Sequence, residues 1–225
     1  MTLRQQLRQL RGRLGQTDDA GDRWVVVDIE SSGLDTERDR LIAVAAVAVH
    51  WMPARDRAPR IAMGDSFEAV LRQTDPSINR QNILLHGIGV GEQREGLAPQ
   101  AALAAFEAWT AGAPLLAFHA PFDQRMLARA SRAHLGRVPE NEWLDLAPLA
   151  GVLLPDVPAR SLDQWLRHFE LHCLDRHRAA ADALATAELF IRLYPLLRAQ
   201  TGARPAIRTL QRLAAQRRWL APHQP

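Results

Sequence analysis

Residues 24–30 read Trp-Val-Val-Val-Asp-Ile-Glu and run directly into Ser31-Ser32-Gly33-Leu34, so an apolar, β-branched stretch ends in two acids one residue apart. β-Branched residues favour extended backbone. Alternate side chains of a strand share a face, which sets Asp28 and Glu30 together where the strand leaves the core. Two unpaired carboxylates so placed repel, and one must take up a proton or meet a cation. A strand that simply ends in solvent is the plainer reading of a lone Asp-x-Glu; the remainder of the chain bears on which applies.

The 225 residues, 47% of them apolar, are enough for one sizeable domain with short extensions. The single cysteine, Cys173, excludes an intramolecular disulfide and any thiolate-built metal site, and suits a reducing cytoplasm. The longest apolar run, Leu41 to Val49, is nine residues. A bilayer span needs roughly 20, so a soluble protein with no membrane partner is expected. The net charge of +3 conceals a segregation: residues 1–14 carry four arginines and residues 198–225 six, with no acid in either, while acids outnumber bases between them. An acidic centre between basic ends suits a cation-binding site that acts on a polyanion, although solvated surface helices would give the same pattern. All 28 basic residues are arginine, which removes lysine chemistry from consideration.

Leu3, Leu7, Leu10 and Leu14 recur at helical spacing, which predicts a short amphipathic helix over residues 2–15. The same arginine-rich, acid-free start also resembles a transit peptide. Residues 1–22 are read as a basic N-terminal helix and linker, 23–197 as the main domain and 198–225 as a basic helical tail. Strands are expected at about 24–29, 41–50 and 66–73, joined by short links as an antiparallel meander. Helices over 98–112, 122–135, 161–169 and 179–197 then alternate with short strands over 114–118 and 143–146. Three antiparallel strands followed by α-β-α units give an α/β fold, a mixed sheet flanked by helices. Five of the six tryptophans fall on core-patterned segments and are read as packing.

Two further acids and a histidine join the first pair. Phe118-His119-Ala120-Pro121-Phe122-Asp123 puts a carboxylate just past the second buried strand, at the opening of a helix, where negative charge is favoured. A helix cap would explain Asp123 equally well. His177 stands five residues before Asp182 in a helix rich in alanine, slim enough to approach a sheet closely. An acid buried there needs a positive partner, while a surface histidine is the default for His177 alone. Hard oxygen donors without cysteine favour Mg²⁺ or Mn²⁺ over a structural zinc. Two such ions roughly 4 Å apart stabilise both the attacking and the leaving oxygen of a phosphodiester. An imidazole, with an ordinary pKa of about 6.5, suits proton removal from water as a general base.

Asp28-x-Glu30, Asp123 and His177-x4-Asp182, in that order and spacing, resemble the motifs of the DnaQ-like (DEDDh) 3′-5′ exonucleases, a family with an RNase H-like fold. Ile83-Leu84-Leu85-His86-Gly87-Ile88 with Pro99 downstream, Leu144-Asp145-Leu146, and Arg176-His177 through Glu188-Leu189-Phe190 match its pattern too, and the likeness covers about residues 23–197. The resemblance implies that Asp28, Glu30 and Asp182 bind the first of two Mg²⁺ or Mn²⁺ ions, which holds the nucleophilic water. Asp28 would bridge to the second ion, with Asp123 supporting it directly or through water, and His177 would deprotonate the attacking water. Ser31, Ser32, Gly33 and Leu34 would line the pocket for the terminal nucleotide. His86 and Ile88 would approach the same nucleotide, and His119 and Phe122 complete the implied substrate-binding set. Ser32 departs from the usual threonine and His119 from a common asparagine, which leaves the substrate contact at His119, and its pH dependence, open. Asp145 is read as structural.

The activity so implied is release of nucleoside 5′-monophosphates from the 3′ ends of DNA, single-stranded DNA first among substrates. A free-standing cytoplasmic enzyme of replication or repair and a proofreading partner of a DNA polymerase, similar to the epsilon-subunit branch, both fit. The alternatives are an RNA-trimming exonuclease and a non-catalytic nucleic-acid-binding or polymerase-binding protein of the same fold. The filled catalytic positions disfavour the last.

Overall fold

The computed structural model describes residues 22–52, 58–173, 175–202 and 204–217. The helix expected over 2–15 lies outside the described residues, as do Trp219 and Leu220 of the tail. The three valine- and alanine-rich stretches form β1 (Arg23–Ser31), β2 (Leu41–His50) and β3 (Arg60–Val70), paired antiparallel in chain order. β4 (Leu115–Ala117) and β5 (Trp143–Asp145) add in parallel on the other side of β1, giving the order β3-β2-β1-β4-β5. Short links permit the antiparallel pairs, and the parallel pairs need crossovers through helices. These are α1 (Arg80–His86), α2 (Val90–Glu95), α3 (Pro99–Thr110) and α4 (Ala120–Leu135). They are followed by α5 (Leu146–Leu153), α6 (Leu162–His168), α7 (Ala179–Thr201) and α8 (Ile207–Ala215).

β3 covers residues 60–70 rather than the expected 66–73. Its ladder with β2 slips between Val47 and Ala48, leaving Met63, Gly64 and Asp65 between the two paired stretches. A bulged edge strand with many exposed side chains lacks the apolar alternation by which a strand is recognised. The helices α1, α2 and α5 add to those expected from the sequence. α1 is held by its ends, Asn79 Oδ1 accepting the Gln81 and Asn82 N–H groups at 3.0 and 3.3 Å and Gly87 closing it at φ 74°. α5 is apolar on all sides and mostly buried, so hydrophobic periodicity carries no signal there.

The two faces of the sheet fill different cores. Trp24, Val26, Val47 and Val49 pack with Leu149, Trp165, Phe190 and Leu193 from α5, α6 and α7. Val25, Val27, Ile29 and Val44 face Leu103, Phe106 and Met126 from α3 and α4. Buried Ala183 and Ala187 let α7 lie close across β1 and β2, which sets the position of its first turn. α7 runs on to Thr201, past its expected end at residue 197, and α8 buries Ile207, Leu210 and Ala214 in the first core. Arg208 pairs with Glu142 at 3.0 Å and Arg217 donates to the Gly151 carbonyl at 3.2 Å, so these arginines are engaged within the chain. Among the described residues no helix is long and apolar enough to cross a membrane.

Phe190 stacks on Trp24 at a ring separation of 5.9 Å and meets Trp51 edge-on at 6.1 Å, fully buried. Phe190→Ala is expected to destabilise the fold by about 3–5 kcal/mol, read as a lower urea midpoint at unchanged slope. A loss under about 1 kcal/mol would show that this aromatic cluster does not anchor the core.

Candidate active site

Asp28 and Glu30 continue the alternation of Trp24 and Val26, so they project on the α7 face of the sheet at the point where that core ends. β4 pairs with β1 only at Val25 and Val26, which leaves one edge of β1 open beside Asp28. The chain leaves β4 through Phe118 and His119, and the turn requires a left-handed residue, His119 at φ 64°. Asparagine and histidine are both enriched in that conformation, so His119 meets the same backbone demand as the family's asparagine. Asp145 braces the turn: its Oδ1 accepts the His119 N–H and the Ala147 N–H, both at 3.0 Å. Asp123 then falls in the first turn of α4, buried, and its carboxylate accepts the backbone N–H of Ile29. That bond fixes the start of α4 to β1 between the two motif acids.

α7 closes the third side. Buried Asp182 lies in its first turn and accepts the His177 backbone N–H at Oδ2, 3.2 Å away. The Ala179 N–H, at the helix start, donates to the Glu30 carboxylate. His177 itself sits at φ 65° with its side chain exposed.

Desolvation dominates the electrostatics of this corner. Burial first, then the nearby Asp123 and Glu30, hold the Asp28 carboxyl well above the usual range against the opposing pull of Arg176. Glu30 is pushed up to about 8, chiefly by burial, with the Ala179 N–H opposing and Asp123 adding to the rise. Asp123 is also pushed up to about 8 by burial, its own N–H opposing, Asp145 adding to the rise and the Ile29 N–H opposing. Three acids that resist ionisation in one corner form a donor set short of positive charge.

Arg176 supplies part of that charge. Its Nη1 bonds Asp182 Oδ1, and its Nε lies 2.5 Å from Asp163 Oδ1 at the start of α6. Sequence reasoning gives no role to Arg176 or Asp163, because no spacing signals a contact between these two segments. The all-oxygen, desolvated donors fit a hard divalent cation such as Mg²⁺ or Mn²⁺. Among the described residues no three His, Cys, Asp or Glu side chains form a ready metal-binding group.

The substrate-side residues divide. Ser32 Oγ donates to Asp39 Oδ1 at 2.8 Å and accepts the Arg40 N–H at 2.9 Å, and Ser31 Oγ donates to the Gly33 carbonyl at 2.6 Å. A Cβ at Gly33 would collide with the Asp39 carboxylate, so a larger residue there would displace that side chain from Ser32. Asn82 Nδ2 donates to the Ser32 carbonyl at 2.5 Å and ties α1 to the loop, while Leu34 stands 86% exposed. His86 is buried with Nδ1 accepting the Ile88 N–H at 3.0 Å, and its Nε2 has no hydrogen-bond partner among the described residues. Ile88 packs inward against Ile42 and Ala43, and Phe122 against the α3 and α4 core. His119 presents an exposed ring beside Phe118. Asp28, Glu30, Asp123 and Asp182 thus share one corner with His177 at its rim, and the Ser31–Leu34 loop and α1 form an adjoining wall.

An acid whose pKa is raised on folding favours the folded state below its unfolded pKa, and that stability is lost as pH rises through the folded value. Glu30 moves from 4.5 to about 8 and Asp123 from 3.8 to about 8, so protein in a chelator is expected to lose thermal stability between about pH 4.5 and pH 8. Asp28→Asn, which removes one charge from the corner, is expected to flatten the decline. An unfolding midpoint in chelator that climbs across this window would contradict the crowding.

A profile of the exonuclease family matches residues 25–190, the span that holds all five motif residues. A DNA polymerase III PolC-type protein of Caldanaerobacter subterraneus is 32% identical over 172 residues, covering 76% of this chain and 11% of the relative. A DNA polymerase III subunit epsilon-like protein of Rhodobacter capsulatus is 32% identical over 182 residues, 79% of this chain and 24% of the relative. This chain therefore spans a minor part of the length of either relative. Among solved structures, E. coli exonuclease I in complex with a dT13 oligonucleotide superposes with a TM-score of 0.65 at 18% identity, over 80% of this chain and 42% of that one. Cell-death related nuclease 4 gives a TM-score of 0.66 at 14% identity, over 78% and 64%. These two share the RNase H-like mixed sheet expected from the motifs. With the profile spanning most of its length, the chain belongs to the exonuclease family, in its DnaQ-like branch.

Proposed function

We propose that this protein is a divalent-metal-dependent 3′-5′ exonuclease that releases nucleoside 5′-monophosphates from single-stranded DNA ends. The observation that carries the reading is the desolvated corner in which Asp28, Glu30, Asp123 and Asp182 arrive from β1, α4 and α7. Asp28, Glu30 and Asp182 would hold one ion, and Asp28 with Asp123 a second. Bound Mg²⁺ or Mn²⁺ supplies Lewis-acid polarisation of the phosphate and an acidified water. His177, exposed at the rim, takes the proton of the attacking water on a ring nitrogen and releases it to solvent. The Ser31–Leu34 loop receives the terminal nucleotide, with exposed Leu34 offering an apolar contact to its base. The polymerase III relatives and the oligonucleotide-bound exonuclease I favour DNA as substrate and a polymerase as a partner.

A time course on 5′-labelled single-stranded DNA, with RNA of the same sequence in parallel, tests this reading. In Mg²⁺ the label is expected to pass through a ladder that shortens from the 3′ end, and in EDTA to remain at full length. Internal cuts, or shortening that persists in EDTA, would sink the proposal; preferential loss of the RNA would move the substrate to RNA. Asp28→Asn and Asp182→Asn are expected to abolish the ladder. His177→Ala should slow it roughly 10²–10⁴-fold with Mn²⁺ binding retained, and a His177→Ala enzyme of full speed would remove the histidine from the mechanism.

A further inference from the structure

Arg176 occupies an unusual position for a basic side chain in a cation site. Its guanidinium is mostly buried, with 22% of the side chain exposed, and it forks between two acids of different character. Asp182, 9% exposed, belongs to the motif corner; Asp163, 46% exposed, stands outside it on the first turn of α6. That turn is rigid, because Ser161 and Gln164 cap it reciprocally. The charge of Arg176 also opposes the rise of Asp28 and Glu30, so it reaches beyond the carboxylate it bonds. A single guanidinium is thus shared between an inner and an outer carboxylate, on the segment that joins α6 to α7.

We propose that Arg176 is a built-in counter-cation: it neutralises Asp182 until a divalent ion takes that carboxylate, and it then withdraws to Asp163. The inference rests on the metal-dependent reading above and adds a residue to it. A divalent ion beside Asp182 repels the guanidinium, and Arg176 cannot shed its charge at any ordinary pH. Its planar fork already has one nitrogen on Asp163, so it can release Asp182 without leaving itself unpaired. The two cations therefore compete for Asp182. Arg176 is a positioning residue: it keeps the acids from splaying apart and sets the threshold at which the ion enters.

The competition gives two variants opposite signs. Mn²⁺ is titrated calorimetrically into the whole protein without nucleic acid, and thermal unfolding is recorded in EDTA. Arg176→Gln is expected to bind Mn²⁺ roughly tenfold tighter and to unfold at a lower temperature in EDTA. Asp163→Asn, which removes the outer resting place, is expected to bind Mn²⁺ roughly tenfold weaker. If Arg176→Gln does not fold, Arg176→Met takes its place: it also removes the positive charge beside Asp182, so tighter Mn²⁺ binding is again expected. Unchanged or weaker Mn²⁺ binding by the folded Arg176 variant overturns the inference, as it would if the side chain merely contacted a substrate phosphate. A wild-type protein that takes up no Mn²⁺ overturns the metal-dependent reading itself, whereas wild-type uptake with no gain in the variant overturns the counter-cation alone.

Discussion

Four carboxylates packed into one desolvated corner are the constraint on which the rest of this structure depends. β1 creates it, because the strand alternation that buries Trp24 and Val26 must carry Asp28 and Glu30 onto the same side. Asp28, Glu30 and Asp123 resist ionisation there, and a fold that assembled them with nothing in return would be unstable. The return comes from the backbone. Ile29 donates its N–H to Asp123 and Ala179 to Glu30, so the elements that bring the acids together also solvate them.

That arrangement explains features that otherwise look incidental. The alanines of α7 bring its first turn close enough for Ala179 to reach Glu30, and bulkier residues would hold the helix away from the sheet. Asp145 accepts the His119 N–H and sets the left-handed turn that aims α4 and Asp123 at β1. Arg176 limits the crowding from the remaining side. Helix starts at α4 and α7 face the corner, where negative charge is favoured.

Much of this was legible in the sequence because strand and helix geometry are local. Asp28 and Glu30 follow from period-two alternation, Asp123 from its place at a helix opening, and Asp182 from being an acid in an alanine-rich helix slim enough to approach the sheet. The sheet order follows from link lengths: short between β1, β2 and β3, long before β4 and β5. What escaped was set by contacts distant in sequence. The bond of Arg176 to Asp163 and Asp182 depends on how α6 and α7 pack, and the loop built around Asp39 depends on Gly33 yielding space to a carboxylate. α5 escaped because a helix buried on all sides shows no period, and β3 was displaced because its bulge hides the alternation. Ile88, assigned to the nucleotide from its motif, turns inward against Ile42 and Ala43.

The central claim is that the corner holds protons in the absence of a cation, and the proposed metal binding would exchange one for the other. Proton release on adding Mg²⁺ to lightly buffered protein at neutral pH measures this directly, because Glu30 and Asp123, both at about 8, are mostly protonated there without the ion. Release on the order of one proton or more per protein molecule, saturating with Mg²⁺ and fading as the starting pH is raised above 8, is the predicted result. Saturable Mg²⁺ uptake at neutral pH with no proton released would contradict it.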